Sequence, residues 1–408
     1  MTNRTRLLTR TPSVRRTGRA VVALTAAGAA VALAGPAVAA SAWVITPTAD
    51  PSPASQLLAV GARTGTDAWA VGIFPGPNDD DGGVMLTEHW NGTTWSHVPT
   101  PNVFRFDEKL LAVSPAAAND VWAVGLTKRT GFAHTDPLAA HYDGRSWTFV
   151  TTPAQPGGSR SALFGVANLG ANNAWAVGHS GDNKALVEHW DGTAWTRITV
   201  PDPKAPAGMT FAGATLNGLS ARSATDIWAA GTFQAGQGTN VNSFTLTMHW
   251  NGTRWSIVPS PNPATPSPVN GVRQTLNGVV AISPTDAWAV GNTVDTVSGS
   301  FQPDRPIAFH WNGTAWSTTT LPSGKGLLTS VTASSPTSVW AAGAVGATTV
   351  AMHWNGSAWA PETTPIDAGG ESLLKGIGAV PGSATEVWAV GFTLANDGNT
   401  RTVALHHP

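Results

Sequence analysis

The sequence predicts an all-β fold, a seven-bladed β-propeller of four-stranded blades, and three observations carry that prediction. A Trp-Ala-Val/Ala-Gly core begins at Trp69, Trp122, Trp175, Trp228, Trp288, Trp340 and Trp388, at intervals of 48 to 60 residues. Each interval holds four short apolar runs separated by turn residues, a unit too small to bury its own apolar faces without neighbours. Gly (44) and Pro (30) are plentiful while charged residues make up 12%, which suits many short strands and argues against long solvated helices.

Taken in order, each unit opens with an apolar run such as Leu57-Leu58-Ala59-Val60 or Leu373-Leu374-Lys375-Gly376-Ile377. A tight polar turn, as in Ser283-Pro284-Thr285-Asp286, leads into the Trp core. After a connection of variable length comes a third run, Ala185-Leu186-Val187-Glu188-His189-Trp190 in one unit. Asn-Gly or Asp-Gly follows at residues 91, 143, 191, 251, 312 and 355 and opens a fourth run that Pro soon stops. Asn-Gly between apolar runs predicts a two-residue type I′ hairpin, whose two central residues both need positive φ. Period two puts Trp and Val of the second strand on one face, with Ala and Gly on the other. In the third strand the aliphatic residue three before His shares a face with the aromatic after it, as Leu86 does with Trp90. A large-residue face beside a small-residue face is what blade-on-blade packing requires.

All 19 tryptophans fall in three repeat positions: the second-strand core, the slot after the repeat His, and the start of the fourth strand. None is left over for a site. The seventh fourth strand is at the wrong end of the chain. Ser41-Ala42-Trp43-Val44-Ile45 matches Thr193-Ala194-Trp195, whereas Val403-Ala404-Leu405-His406-His407-Pro408 ends where Asn-Gly is due. The N-terminal strand is therefore expected to complete the last blade and clasp the ring shut.

Residues 1–40 are of another kind. Six arginines precede the small-residue run Ala20 to Gly35, and Ala37-Val38-Ala39 is an A-x-A cleavage signal. This reads as a secretory signal peptide, with the propeller over 41–408, a secreted extracellular location and no transmembrane segment after cleavage. Thr17-Gly18 after Arg15-Arg16 argues against a twin-arginine signal. Cysteine is absent, so no disulfide supports the exported fold. Residues 41–408 keep 17 of the 23 Lys+Arg against 24 Asp+Glu, which excludes a general nucleic-acid binder with a basic face.

Connections between first and second strands and between third and fourth are short, and the other two sets are long. In a meander the long ones share one rim, which is the expected binding face. Glu108, Lys109, Arg160, Arg273, Lys325 and Glu371 end the loops that lead into first strands and are expected to approach the central channel, where a basic excess would receive an anion. Lys128, Arg129, Phe132 and His134 form a second contact patch. Asp79, Asp80 and Asp81 are oxygen-rich enough to hold calcium, but they lack the alternating spacing of a calcium loop. No other cofactor is expected. The seven repeat histidines, one per blade, read as hydrogen-bonded packing residues, and the acids before five repeat Trp (Asp67, Asp120, Asp226, Asp286, Glu386), replaced by Asn173 and Ser338 in the other two units, read as turn caps. Tyr142 is the one tyrosine. It occupies a repeat slot, and cysteine is lacking, so a tyrosine-nucleophile sialidase and a copper-radical oxidase are excluded.

Trp-Ala-Val-Gly followed by His-Trp-Asp/Asn-Gly-x-x-Trp resembles the tectonin repeat, while the unit length of about 50 is similar to kelch repeats, whose Gly-Gly pair is missing. The likeness covers 41–408 and is similar to the repeat propellers of exported actinobacterial proteins. Tectonin-type propellers include lectins, so the resemblance implies glycan binding. Three functions stand open. The first is a monomeric, non-enzymatic propeller that binds an extracellular glycan or protein on the variable face. The second is a secreted polysaccharide hydrolase or lyase using His134, His179 or the loop carboxylates Asp107, Glu108, Asp136, Asp182, Asp304, Glu371 and Asp397. The third is a cell-envelope scaffold.

Overall fold

The computed structural model describes residues 43–408 apart from 77–81, 102–105, 130–132, 157–159, 239, 265–270, 295, 298–299, 302–303, 346–347, 367–371 and 396. Among the described residues there is no helix, and seven antiparallel four-stranded sheets run in meander order. The signal-peptide reading of residues 1–40 lies outside them. Blade 1 spans Gln56–His97, blade 2 Phe106–Val150, blade 3 Ala162–Arg197 and blade 4 Thr210–Val258. Blade 5 spans Arg273–Thr318, blade 6 Gly326–Glu362 and blade 7 Ser372–His407.

Val44–Thr46 is the outermost strand of blade 7, pairing Val44 with His406 and Thr46 with Ala404. The clasp continues past the strand. Thr402 donates its backbone N–H to Asp50 Oδ1 at 3.3 Å, Ala54 N–H reaches Thr400 O at 3.0 Å, and Ala49 N–H reaches Glu88 Oε2 of blade 1 at 3.0 Å. The two ends of the ring are thus stitched into each other and into blade 1.

Blades are joined by one aromatic arrangement used seven times. Each second-strand Trp lies against the histidine of its own third strand, with ring centroids 3.9–4.7 Å apart. The same ring meets the next blade's third-strand aromatic at 4.7–5.1 Å. It also meets the next blade's fourth-strand Trp edge to face at 4.9–5.8 Å. In blade 7 His407 fills the third-strand slot and Trp43 the fourth-strand slot. Edge-to-face aromatic pairs contribute about 0.5–1.5 kcal/mol each beyond the area they bury.

The repeat histidines are hydrogen-bonded within their own blades, as expected, but the acids do not cap turns. Asp67, Asp120, Asp226, Asp286 and Glu386 each take the histidine Nε2 at 2.8–3.1 Å. Asn173 and Ser338 replace the acid in blades 3 and 6 and bond His189 and His353. In those two blades burial holds the imidazole below its ordinary pKa. Facing the cross-strand histidine suits the acid better than the turn, because the contact orients the ring that stacks on Trp.

Turn capping falls instead to the Asn/Asp of the hairpin. Asn91 Oδ1 accepts from Thr93 N and Thr94 N at 3.0 Å, and the equivalent pairs recur at residues 143, 191, 251, 312 and 355. The loop is therefore four residues long, closed by the Trp90–Trp95 pair, and not the two-residue type I′ turn. Positive φ falls on the glycine alone, at 92° to 98°.

Every innermost strand carries one β-bulge in the same place, opposite the Gly of Trp-Ala-Val-Gly. A Cβ on Gly72, Gly125 or any of its five equivalents would overlap a carbonyl oxygen of the bulged strand. The motif ends in Gly because backbone occupies that volume. The residue after each bulge is Ala59, Ala112, Gly165, Gly218, Gly278, Ser330 or Gly376, and neighbouring first strands nearly touch there. A Cβ on Gly376 would stand 2.8 Å from Ala59 Cα.

Two blade interfaces hold a buried carboxyl where blades 4 to 7 place Met248, Phe309, Met352 and Leu405. Glu88 and Glu188 are both fully buried. Burial pushes Glu88 up to about 7 and Glu188 up to about 8. Gln155 Nε2 donates to Glu188 Oε1 at 2.9 Å, while Gln155 Oε1 and Glu188 Oε2 have no partner among the described residues. A proton on Glu188 gives that pair the donor it lacks.

Removing residues 41–47 is expected to lower Tm by several degrees, and Trp43→Ala to cost about 3–5 kcal/mol, the usual loss for an emptied aromatic core site. Calorimetry on the trimmed chain checks this, and an unchanged Tm would remove the clasp. Because both glutamates bind protons more tightly folded than unfolded, stability should fall as pH rises from about 4.5 to about 8. Denaturant titrations should show Glu188→Gln recovering on the order of 3 kcal/mol of that loss. In blade 3, Asn173→Asp should raise the pKa of His189, read by NMR titration of the ring protons.

Candidate functional site

The site grows from unequal strand lengths. The first two strands of blade 3, Ala162–Asn168 and Ala174–Ser180, have 7 residues each. Those of blade 4, Thr210–Ser223 and Asp226–Gln237, have 14 and 12. The second strand of blade 4 runs on to pair Gln237 with Asn240 of the third. Blade 4 therefore extends past blade 3 on the rim of the long loops and leaves a cleft of about 490 Å³ beside it. Arg160, His179, Asn183, Thr215, Thr232 and Gln234 line this cleft, with the Ala212–Ala214 backbone as its floor.

The lining is polar and held by its own backbone. Asn183 adopts φ 60° in the turn after the second strand of blade 3, and its carbonyl accepts Ala214 N–H at 3.0 Å. Gly213 passes so close that a Cβ there would lie 3.1 Å from Asn183 O. Arg160 is exposed at the rim. The next residue, Ser161, is anchored by its N–H to Thr135 O and by its hydroxyl to Gly181 N–H, both at 2.9 Å. His179 Nδ1 lies 3.2 Å from Ala214 O, so the neutral ring donates from Nδ1 and keeps its lone pair on Nε2. Thr232 spends its hydroxyl on Phe244 O and Gln274 O. The cleft can thus offer a guanidinium, two amides and an imidazole lone pair to a hydroxyl-rich or acidic ligand.

Of the residues nominated from sequence, the structure brings together Arg160 and His179. Among the described residues the expected convergence on the central channel does not occur. Glu108 is buried in the first strand of blade 2. Lys109 is half-buried in that strand, and Arg273 and Lys325 are exposed at or just before their strand starts. None of these four lines the channel, although the charge of Lys109 reaches Lys375 there. The reason is the bulge: the side chains that enter the channel sit inside the first strand, past the loop ends. His134 pairs with Asp136 at 2.8 Å and Lys128 approaches Asp107 at 3.9 Å, so that patch is internally compensated. Phe132, Glu371, Asp79, Asp80 and Asp81, and the side chain of Arg129, lie outside the described residues.

The loop carboxylates are spread over separate blades and engaged locally. Asp107 accepts from Gly83 N–H, Asp182 pairs with Arg197, Asp304 accepts from Asn292, and Asp397 pairs with Arg401. Among the described residues no group of three or more His, Asp or Glu is placed to hold a metal ion. Sequence reasoning missed Asn183 and Gln234. Asn183 had one available signal, an Asn in a short polar turn of the kind that tolerates positive φ.

No protein-family model matches the sequence, and no curated protein matches it. Similar folds are found among solved structures. YCF48 bound to a D1 peptide superposes with a TM-score of 0.53 at 16% identity, over 91% of this chain and 98% of that one. An ulvan lyase of polysaccharide lyase family PL25 gives 0.56 at 8%, over 86% and 93%, and its complex with -[GlcA(1-4)Rha3S]- gives 0.55. The SapL1 lectin in complex with α-methyl fucoside reaches 0.42 at 16%, over 76% and 97%. At these identities the likeness is one of fold: the chain is an all-β, seven-bladed propeller.

Proposed function

We propose that this chain is a secreted binding propeller that takes an extracellular glycan in the cleft between blades 3 and 4. The observation that carries the reading is the cleft itself: about 490 Å³, on the loop-bearing rim, lined by Arg160, His179, Asn183 and Gln234. Sugars present alternating donors and acceptors, and planar amide and guanidinium groups match them with bidentate hydrogen bonds. A pocket of a few hundred cubic ångströms, formed where two elements meet, is the ordinary setting for such a ligand. The tectonin-like repeat pattern supports the same ligand class. The locally engaged loop carboxylates support binding without hydrolysis.

A second reading, an eliminating lyase for acidic polysaccharide, is favoured by one specific feature, the lone pair on His179 Nε2. With Arg160 pairing the uronate carboxylate, Nε2 takes the C5 proton and the C4–O bond breaks. A C4–C5 double bond forms, and the leaving oxygen takes a proton from water, whose hydroxide is neutralised by the imidazolium proton. The cell-envelope scaffold, the third possibility, draws support from no feature of the cleft.

Residues 41–408, screened on a glycan array and a panel of uronate polysaccharides, are expected to bind a glycan reproducibly. Arg160→Ala and Gln234→Ala should each weaken binding about tenfold, or ~1.4 kcal/mol, without shifting Tm, because both side chains are exposed. Silence on every glycan and cell-wall polymer would overturn the proposal. Ultraviolet absorbance from an unsaturated uronate product, lost in His179→Ala, would replace binding with lysis.

A further inference from the structure

The bulges aim one side chain per blade into the central channel: Leu58, Leu111, Phe164, Asn217, Asn277, Thr329 and Lys375. The ring of side chains is divided. Blades 1 to 3 contribute an apolar arc, and blades 4 to 7 a polar arc. Three of the four polar members give their donors to the frame. Asn217 Nδ2 donates to Leu276 O at 2.9 Å, Asn277 Nδ2 to Leu328 O at 2.8 Å, and Thr329 Oγ1 to Leu374 O at 2.7 Å. Each of these bonds ties one first strand to the next.

Lys375 is different. It is half-buried, lines the cavity and makes no hydrogen bond or ion pair among the described residues. Burial, with the charge of Lys109 added, holds its ammonium below the usual lysine pKa. A desolvated ammonium without a counter-charge is costly, and removing or pairing it relieves that cost. The same seven side chains line two spaces, of about 220 Å³ and about 270 Å³, each with room for a small molecule. The Lys375 ammonium on one wall, with Lys109 near enough to add its charge, matches an anionic head. The facing wall of Leu58, Leu111 and Phe164 matches a hydrocarbon body.

We propose that the central channel is a binding site for a small organic carboxylate, its anionic head on Lys375 and its apolar body against Leu58, Leu111 and Phe164. The site is separate from the cleft between blades 3 and 4 and shares no residue with it. A ligand there touches the first strands of all seven blades and favours the closed ring over any opened form.

The test is calorimetric titration of the intact ring with hexanoate and benzoate, beside hexanamide, benzamide and sodium sulfate. Both acids should bind saturably and raise Tm, each about tenfold or more tighter than its amide, with sulfate weaker than either acid. Lys375→Met should abolish the preference for acid over amide and itself raise the Tm of the free protein, since the unpaired charge is gone. Phe164→Ala, which keeps the ammonium, should weaken acid and amide alike, and it serves as the independent variant if Lys375→Met does not fold. Equal binding of acid and amide, no saturable binding of either acid, or sulfate binding as tightly as hexanoate would each overturn the proposal.

Discussion

The ring depends on one contact, the second-strand tryptophan seated in the next blade. Its indole lies between the histidine of its own blade and two aromatic rings of the neighbour, and all seven such indoles are buried to 4% exposure or less. An aromatic of this kind buries roughly 150–250 Å², so these side chains supply much of the adhesion between units that cannot stand alone. The contact also explains the polar residues around it. The acid two positions before Trp fixes the histidine, and the histidine fixes the indole. A row of seven repeat histidines, five of them paired with an acid, which in isolation would suggest metal or acid–base chemistry, is a packing device.

A second constraint follows from the Gly that ends the motif. Backbone of the bulged first strand fills the space a side chain would need at Gly72 and its equivalents. The bulge turns one side chain per blade toward the axis, and small residues just after it let neighbouring first strands close up. The same backbone irregularity therefore narrows the channel and chooses what lines it. Channel chemistry is set by seven positions buried within apolar runs, which is why Lys375 stands in the middle of Leu-Leu-Lys-Gly-Ile and not in a loop.

Strand order, blade number and the strand that crosses from the N-terminus were all legible, because periodicity and the Trp positions report on packing that repeats. The acid–histidine pairing was half legible: the histidine partners were expected, but the acids were assigned to the nearest turn, since sequence proximity hides a cross-strand contact 15 to 24 residues away. Asn91-Gly92 signalled a hairpin correctly but not its length, because the Asn side chain caps two N–H groups and leaves positive φ to Gly alone. The cleft was not legible. It exists because blade 4 is longer than blade 3, a difference between neighbours that no single repeat contains. Arg160 was found for a different reason from the one that matters, its position at a loop end.

Function in such a ring is best sought where the repeat is broken. In a closed array each blade's stability is set by itself and its two neighbours, so a local departure costs little elsewhere and can be kept for what it does. The long hairpin of blade 4 is one departure, and it builds the cleft. Lys375, where Leu58 and Leu111 stand in blades 1 and 2, is another, and it puts an unpaired charge at the axis. Glu88 and Glu188 are the third kind, carboxyls at positions that blades 4 to 7 fill with Met, Phe or Leu. These two lie between blades and open into neither the cleft nor the channel, so ligand contact does not account for them. What they change is the interface: a buried acid that ionises near neutrality weakens the joints between blades 7 and 1 and between blades 2 and 3. The joint at blade 1 is also where Ala49 of the clasp meets Glu88. The seam where residues 44–49 run from blade 7 to blade 1 therefore carries a carboxyl whose pKa burial raises to about 7.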